Sequence, residues 1–378
     1  MKKHMNQQVL RIEKSGIRKF GEWAAQTEGC MYLTLGEPDF DTPEVIKEAA
    51  KKGLDLDMTH YPPGAGIPDL RKKISAFEEH HSGLQYSPEE VIVTDGATEA
   101  IASILVALLN PGDEVIVPIP AFGLYRALIE MHGGKCVTID ITETDFQLTR
   151  QQLENAISSK TKCLILNSPN NPTGATFSDE TLEIIHQVVK EKDFFILCDE
   201  VYNRILYTEQ YSSFSKYQDI RHKIIIAQSF SKPYSMTGWR VGYILADQPV
   251  AEEIFKVHQY TVSGISHFSQ LACIEALDYD ISEMTTTYLK RMEYVYGRLI
   301  EMGMDVNRPQ GAFYIFPSIK KYGMDSLTFC QRLVLEQKVA ITPGICFDAD
   351  DYVRISYCYS DEDLKKALDA VERFIKSL

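Results

Sequence analysis

The chain has 378 residues, 44% of them hydrophobic, and a formal charge of -14 at neutral pH. That length exceeds one ordinary core and points to about two domains, while so acidic a composition disfavours nucleic acid, whose phosphates attract basic surfaces. The first residues lack the apolar core of a signal peptide, and no run approaches the ~18 consecutive apolar residues of a membrane span, so a soluble, cytoplasmic protein without membrane partners is expected. The 8 cysteines form no CxxC pair; several, such as Cys163 and Cys198, fall in strand-like runs and suit buried thiols better than metal ligands. His80-His81 lack i, i+4 ligand spacing, and no metal site is expected.

In chain order, Val91-Ile-Val-Thr94 reads as a short buried strand, and Asp95-Gly-Ala-Thr98 joins it to an apolar-periodic helix over about 98–109. Backbone N–H groups of Gly96, Ala97 and Thr98 at such a helix start suit a phosphate. No GxGxxG or GxxxxGK[ST] pattern supports a dinucleotide or P-loop site. Further strands are expected near 114–118, 163–166, 194–198, 223–228 and 241–245, mostly separated by helical stretches, which implies a mainly parallel sheet covered on both faces.

Asn167-Ser-Pro-Asn-Asn-Pro-Thr-Gly174 follows one of these strands as a stiff loop, on which Asn171 is placed to bond a cofactor ring oxygen and a substrate carboxylate. The apolar run 194–198 ends abruptly in Asp199, a carboxylate suited to keeping a pyridine nitrogen protonated, and Tyr202 lies three residues on, within reach of a phenolic oxygen. After the run 223–228, the hydroxyls of Ser229 and Ser231 flank Lys232, and Arg240 supplies a planar fork for phosphate oxygens. A lysine amine beside a phosphate pocket, just past a strand end where open α/β sheets bind ligands, points to pyridoxal 5'-phosphate (PLP) held through Lys232. Beyond about 275, the stretch 288–299 predicts a long helix and 311–316 a strand. Tyr352-Val-Arg-Ile-Ser-Tyr357 alternates as a strand with one buried face and carries Arg354, a fork for an α-carboxylate.

These motifs, in this order from about Gly36 to Arg354, resemble the class I/II aminotransferases, the PLP enzymes of fold type I. The resemblance implies an α/β fold: a large PLP-binding domain over 45–275 with a mostly parallel sheet covered by helices, and a smaller α+β domain from 1–44 and 276–378. It implies that Lys232 bears the cofactor and moves the Cα proton, with Asp199 and Tyr202 on the ring. By the same likeness, Gly96, Ala97, Thr98, Ser229, Ser231 and Arg240 hold the phosphate, Phe122 stacks on the ring, and Gly36, Asn171 and Arg354 receive the substrate carboxylate. Tyr61, in Tyr61-Pro-Pro-Gly-Ala-Gly66, matches a tyrosine that reaches the neighbouring subunit's phosphate in a homodimer. The implied substrates are an amino acid and a 2-oxo acid, exchanged by ping-pong kinetics.

For the side-chain pocket, Ile17, Tyr32, Phe122, Tyr125 and Phe347 form an apolar, aromatic set suited to an aromatic substrate. The segment 15–20 resembles the bacterial branch of aromatic and N-acetyl-diaminopimelate aminotransferases, whereas Pro343-Gly-Ile-Cys-Phe347 departs from the family's usual serine or threonine after Pro-Gly. A carbon-sulfur β-lyase would use the same lysine and stands as an alternative. A non-catalytic regulatory protein on the same fold is disfavoured by Lys232, Asp199, Tyr202 and Arg354 being present together.

Overall fold

The structure, a computed structural model, describes residues 4–209 and 211–378. Seven strands form the principal sheet: Val91–Thr94, Glu114–Ile119, Lys135–Asp140, Thr161–Asn167, Phe195–Asp199, Ile224–Ser229 and Gly242–Ala246. Across the sheet they run 91–94, 242–246, 224–229, 195–199, 161–167, 114–119, 135–140. Strand 242–246 is antiparallel to both its neighbours, and every other pairing is parallel. Sequence reading placed six of these strands. The seventh, Lys135–Asp140, lies at the edge with most of its residues partly or fully exposed, so it lacks the dense apolar run that marks its neighbours.

The apolar runs are continuous because both faces of the sheet are covered. Ile224 and Ile226 join one core while Ile225 and Ala227 join the other, and Leu164 and Leu166 face opposite Cys163 and Ile165 in the same way. The helices Gly96–Leu108 and Gln248–Thr261 pack against each other and on the 242–246 side of the sheet. The first of these starts at Gly96, two residues earlier than the sequence expectation, and its leading N–H groups open at the sheet's carboxyl edge.

At that edge the pairing register sets Asn167 beside Asp199, and Asp199 beside Ala227, two residues before Ser229. Three neighbouring parallel strands therefore end in polar residues at nearly one level, the crevice where open α/β sheets hold ligands.

The remaining strands are short. Thr342–Pro343, Val353–Ser356 and Tyr314–Ile315 form an antiparallel sheet in that order, and Met31–Tyr32 pairs in parallel with Val339–Ala340. The helices Ser282–Glu301, Ser326–Gln337 and Asp361–Lys376 accompany them; the first extends the expected 288–299 helix at both ends and buries Tyr288, Met292, Val295 and Leu299 along one stripe. Of the strand expected over 311–316 only Tyr314 and Ile315 pair. Strand 353–356 is buried on both faces rather than one, and at its end Ser356 donates its N–H to the Leu33 carbonyl of the N-terminal segment. Among the described residues no helix is long and apolar enough to cross a membrane.

Candidate active site

A cavity of roughly 380 Å³ opens at the carboxyl edge of the large sheet, a size suited to a small-molecule ligand. It is lined by Ala97, Thr98, Phe122, Asn171, Asp199, Tyr202, Ser229, Ser231, Lys232, Arg240, Gly36 and Arg354, so the elements that chain order separates converge on one space. Gly96 stands directly behind this lining: its φ is +68°, and a Cβ there would lie 2.6 Å from the Arg240 Nη2 atom. Glycine thus lets the guanidinium close over the helix start. Arg240 itself has left-handed backbone, φ 55°, which aims its side chain across the Asp95 and Thr237 carbonyls that accept from it at 3.3 and 3.1 Å. Exposed backbone N–H groups, two serine hydroxyls and an arginine fork make this end of the cavity an anion cradle.

Asp199 is buried, and its Oδ2 accepts a hydrogen bond from the Tyr125 hydroxyl at 2.5 Å. Burial pushes the carboxyl up to about 6, against the lowering effect of the Tyr125 hydrogen bond. A cationic ring nitrogen beside it would favour its ionised form. The adjacent Glu200 turns away from the cavity toward Ser213 and Asn203, and burial pushes it to about 8. The two neighbouring acids therefore differ in role by environment alone.

Lys232 is half-buried and donates from Nζ to the Gly36 carbonyl at 2.6 Å. Burial lowers its amine to about 8, within reach of the neutral form that a nucleophile or proton carrier requires. Arg354 is 2% exposed. Its Nη1 donates to Asn171 Oδ1 at 2.8 Å and its Nη2 to the Thr34 carbonyl at 2.6 Å, while its Nε has no hydrogen-bond partner. The rings of Tyr314 and Phe347 lie 4.5 and 4.9 Å from the guanidinium carbon. No carboxylate pairs with it among the described residues, although a buried charge is costly unless paired.

The side-chain pocket differs from its sequence expectation. Ile17 and Phe122 line the cavity, but Tyr32 and Phe347 do not: Tyr32 belongs to the short strand at 31–32, and Phe347 is packed behind Arg354. Tyr125 lines it as a partner of Asp199 rather than as an apolar wall. Arg18, which no motif brought forward, stands exposed at the cavity's edge without an ion pair among the described residues. Tyr314 was read only as part of a strand, yet its hydroxyl lies 2.8 Å from that of Tyr202. The signal was present in Gly311-Ala-Phe-Tyr314, but periodicity reports burial and not hydroxyl pairing. Tyr61 is 89% exposed and outside this cavity.

An anion cradle, a buried acid at a strand end and a half-buried amine in one crevice define a PLP-binding α/β enzyme. The chain belongs to the class I and II aminotransferases, whose family profile matches residues 28–371. It is 42% identical over 377 residues to the probable N-acetyl-LL-diaminopimelate aminotransferase of Bacillus subtilis, covering 98% of this chain and 95% of that one. It is 38% identical to aromatic-amino-acid aminotransferase 2 of Thermococcus litoralis, covering 97% and 96%. The crystal structure of aspartate aminotransferase from Thermotoga maritima superposes with a TM-score of 0.95 at 36% identity, covering 98% of this chain and 100% of that one. The protein is a PLP-dependent transaminase of fold type I, and the donor set in the cavity fits that cofactor.

Because the amine of Lys232 must be neutral to bond PLP and its proton is lost near pH 8, uptake of PLP by the apoprotein should quicken about tenfold per pH unit below 8 and level off above it. Stopped-flow visible absorbance across pH 6 to ~10 measures this; a flat profile would show that another group limits uptake.

Proposed function

We propose that the enzyme moves the amino group of an L-amino acid with a long side chain ending in a carboxylate, of the acyl-diaminopimelate type, to a 2-oxo acid by a ping-pong route. The observation that carries the amino-acid reading is Arg354, a buried guanidinium with an unpartnered Nε in the wall of the cavity that also holds the Lys232 amine. An α-carboxylate supplies the missing counter-charge and the bidentate acceptor. Asn171, already bonded to Arg354, orients the fork, and the Thr34 carbonyl fixes its other arm.

In this reading PLP, when bound, supplies the electron sink that stabilises the substrate carbon after it loses its proton. Asp199, held by Tyr125, keeps a proton on the ring nitrogen. Tyr202 donates to the phenolic oxygen, and Phe122 covers one ring face. Gly96, Ala97, Thr98, Ser229, Ser231 and Arg240 would grip the phosphate, and the Lys232 amine, once replaced by the substrate's amino group, would take the Cα proton at Nζ and deliver it to the cofactor carbon that keeps that amino group. Gly36 brings main chain against the carboxylate end, and its carbonyl accepts from the Lys232 amine. The same reading assigns 45–275 to a large domain and 1–44 with 276–378 to a small one. Supporting it, the seven-stranded sheet falls wholly within the first range and the shorter strands wholly within the second.

Side-chain preference rests on the lining, where Ile17 and Phe122 are apolar and Arg18 is an exposed cation with no ion pair among the described residues. That combination suits an acyl-diaminopimelate type of donor, the substrate class in the name of the Bacillus subtilis relative. Nothing observed favours β-elimination, and the four residues that argued against a non-catalytic role all line one cavity. We assign Tyr61, exposed and outside its own subunit's cavity, to the phosphate of a second subunit in a homodimer.

Lys232→Ala should still take up PLP but lose steady-state transamination by about 10²- to 10⁴-fold or more; near-normal turnover would overturn its role. Arg18→Ala should lower kcat/KM for donors with a distal carboxylate by about tenfold or more, as expected for loss of a charged hydrogen bond, and leave aromatic donors unchanged. An equal loss for both classes, or a wild-type enzyme fastest on aromatic donors, would sink the acidic-side-chain assignment. For the dimer, co-expressing Tyr61→Ala with Lys232→Ala chains should yield mixed dimers that hold one wild-type-strength PLP site and one weakened site, read by equilibrium dialysis. A single class of sites, or a monomer in sedimentation, would remove Tyr61 from the neighbouring cavity.

A further inference from the structure

Tyr202 and Tyr314 are buried, their hydroxyl oxygens stand 2.8 Å apart, and each is the other's only hydrogen-bond partner among the described residues. Distance alone leaves open which phenol donates. The surroundings favour one direction. The Tyr314 ring lies against the Arg354 guanidinium, whose carbon is 4.5 Å from the ring centroid, and a nearby cation makes a phenol a better donor. Tyr202 stands nearer the carboxylate of Asp199, which strengthens its hold on its own proton. Burial pushes both phenols up and Arg354 opposes this at both, but its guanidinium lies on the ring of Tyr314, whereas Asp199 adds to the rise at Tyr202.

We propose that Tyr314 is a positioning residue that donates its hydroxyl proton to the Tyr202 oxygen, so that the Tyr202 proton is turned away from Tyr314 and presented to the cofactor's phenolic oxygen. A phenol has one proton. Once the Tyr202 oxygen accepts from Tyr314, its own O–H points elsewhere, and a hydroxyl that accepts one hydrogen bond donates the next more strongly. The chain also reserves space for this hydroxyl: a Cβ on Gly36 would lie 1.8 Å from Tyr314 Oη. The backbone at 36 is therefore bare on the side where Tyr314 reaches past it to Tyr202. The ring contact between the two tyrosines is edge-on, at 83°, with centroids 5.6 Å apart, which directs both hydroxyls to one point.

This inference rests on the reading that Tyr202 serves the phenolic oxygen, and the test separates the two. The wild-type holoenzyme, Tyr314→Phe, Tyr202→Phe and the double variant are titrated by the visible absorbance of bound PLP against pH, with thermal unfolding of each apoprotein recorded alongside. Tyr314→Phe keeps the ring on Arg354 and removes one oxygen. Its absorbance midpoint should rise by about half a pH unit, Tyr202→Phe should raise it further, and the double variant should match Tyr202→Phe. If Tyr202→Phe shifts the midpoint and Tyr314→Phe does not, the relay is refuted while the role of Tyr202 stands. If neither shifts it, the reading of Tyr202 falls and the relay with it. An equal effect of Tyr314→Phe with and without Tyr202 would also overturn the proposal, because the hydroxyl would then act without passing through Tyr202. Should Tyr314→Phe unfold at a markedly lower temperature, Tyr314→Met, which keeps apolar bulk against Arg354 without a hydroxyl, must show the same midpoint shift for the proposal to survive.

Discussion

A guanidinium enclosed in protein without a carboxylate demands compensation from everything around it, and Arg354 imposes that demand on four separate parts of the chain. The Asn171 amide comes from the loop after one strand of the large sheet, the Thr34 carbonyl from the N-terminal segment, and the two aromatic faces from Tyr314 and Phe347. Neutral oxygens and π-faces moderate a buried cation without cancelling it. The charge therefore remains available to an incoming anion, and the segments that hold it are bound together because each supplies a piece of its surroundings.

The cofactor end of the cavity is built on a different principle. Asn167, Asp199 and Ser229 close three neighbouring parallel strands whose pairing register is fixed by backbone hydrogen bonds. Their relative heights follow from strand spacing, ~4.8 Å from one strand to the next, and not from the packing of flexible side chains. Rigidity there suits a flat ring that must meet a carboxylate, a phenol and an amine together. The rim contributed by Ile17 and Arg18 sits on a short helix, Gly16–Ala24, in which Phe20 and Ala24 are buried and the rest are exposed or partly exposed, and it can vary without disturbing the sheet.

How much of this was legible in the sequence depended on the kind of signal. Buried strands announced themselves because both faces of the sheet are covered, and the polar residues at their ends were conspicuous against apolar runs, which is how Asp199 and Lys232 were singled out. Lys135–Asp140 escaped because an exposed edge strand needs no apolar run. Phe347 was correctly apolar but assigned to the pocket, although it supports Arg354 from behind; composition says that a ring is buried and not what it is buried against. Tyr314 was visible as a strand residue, but a hydrogen bond between hydroxyls 112 positions apart leaves no periodic trace. Arg18 carries no motif, and only the fold brings it to the cavity.

The bare backbone at Gly36 carries an implication of its own. Its absent side chain and the Tyr314 hydroxyl occupy one volume, so neither residue is free to change independently. A methyl group at position 36 displaces the phenol, and through it the ring that lies on Arg354; a smaller residue at 314 would leave room for that methyl but strip the guanidinium of one aromatic face. Positions 36 and 314 are 278 residues apart in the chain, yet they are coupled as two halves of a single steric unit. A substitution at one alters what is tolerable at the other, and sequences that wander from this pair must cross the gap in a coordinated step.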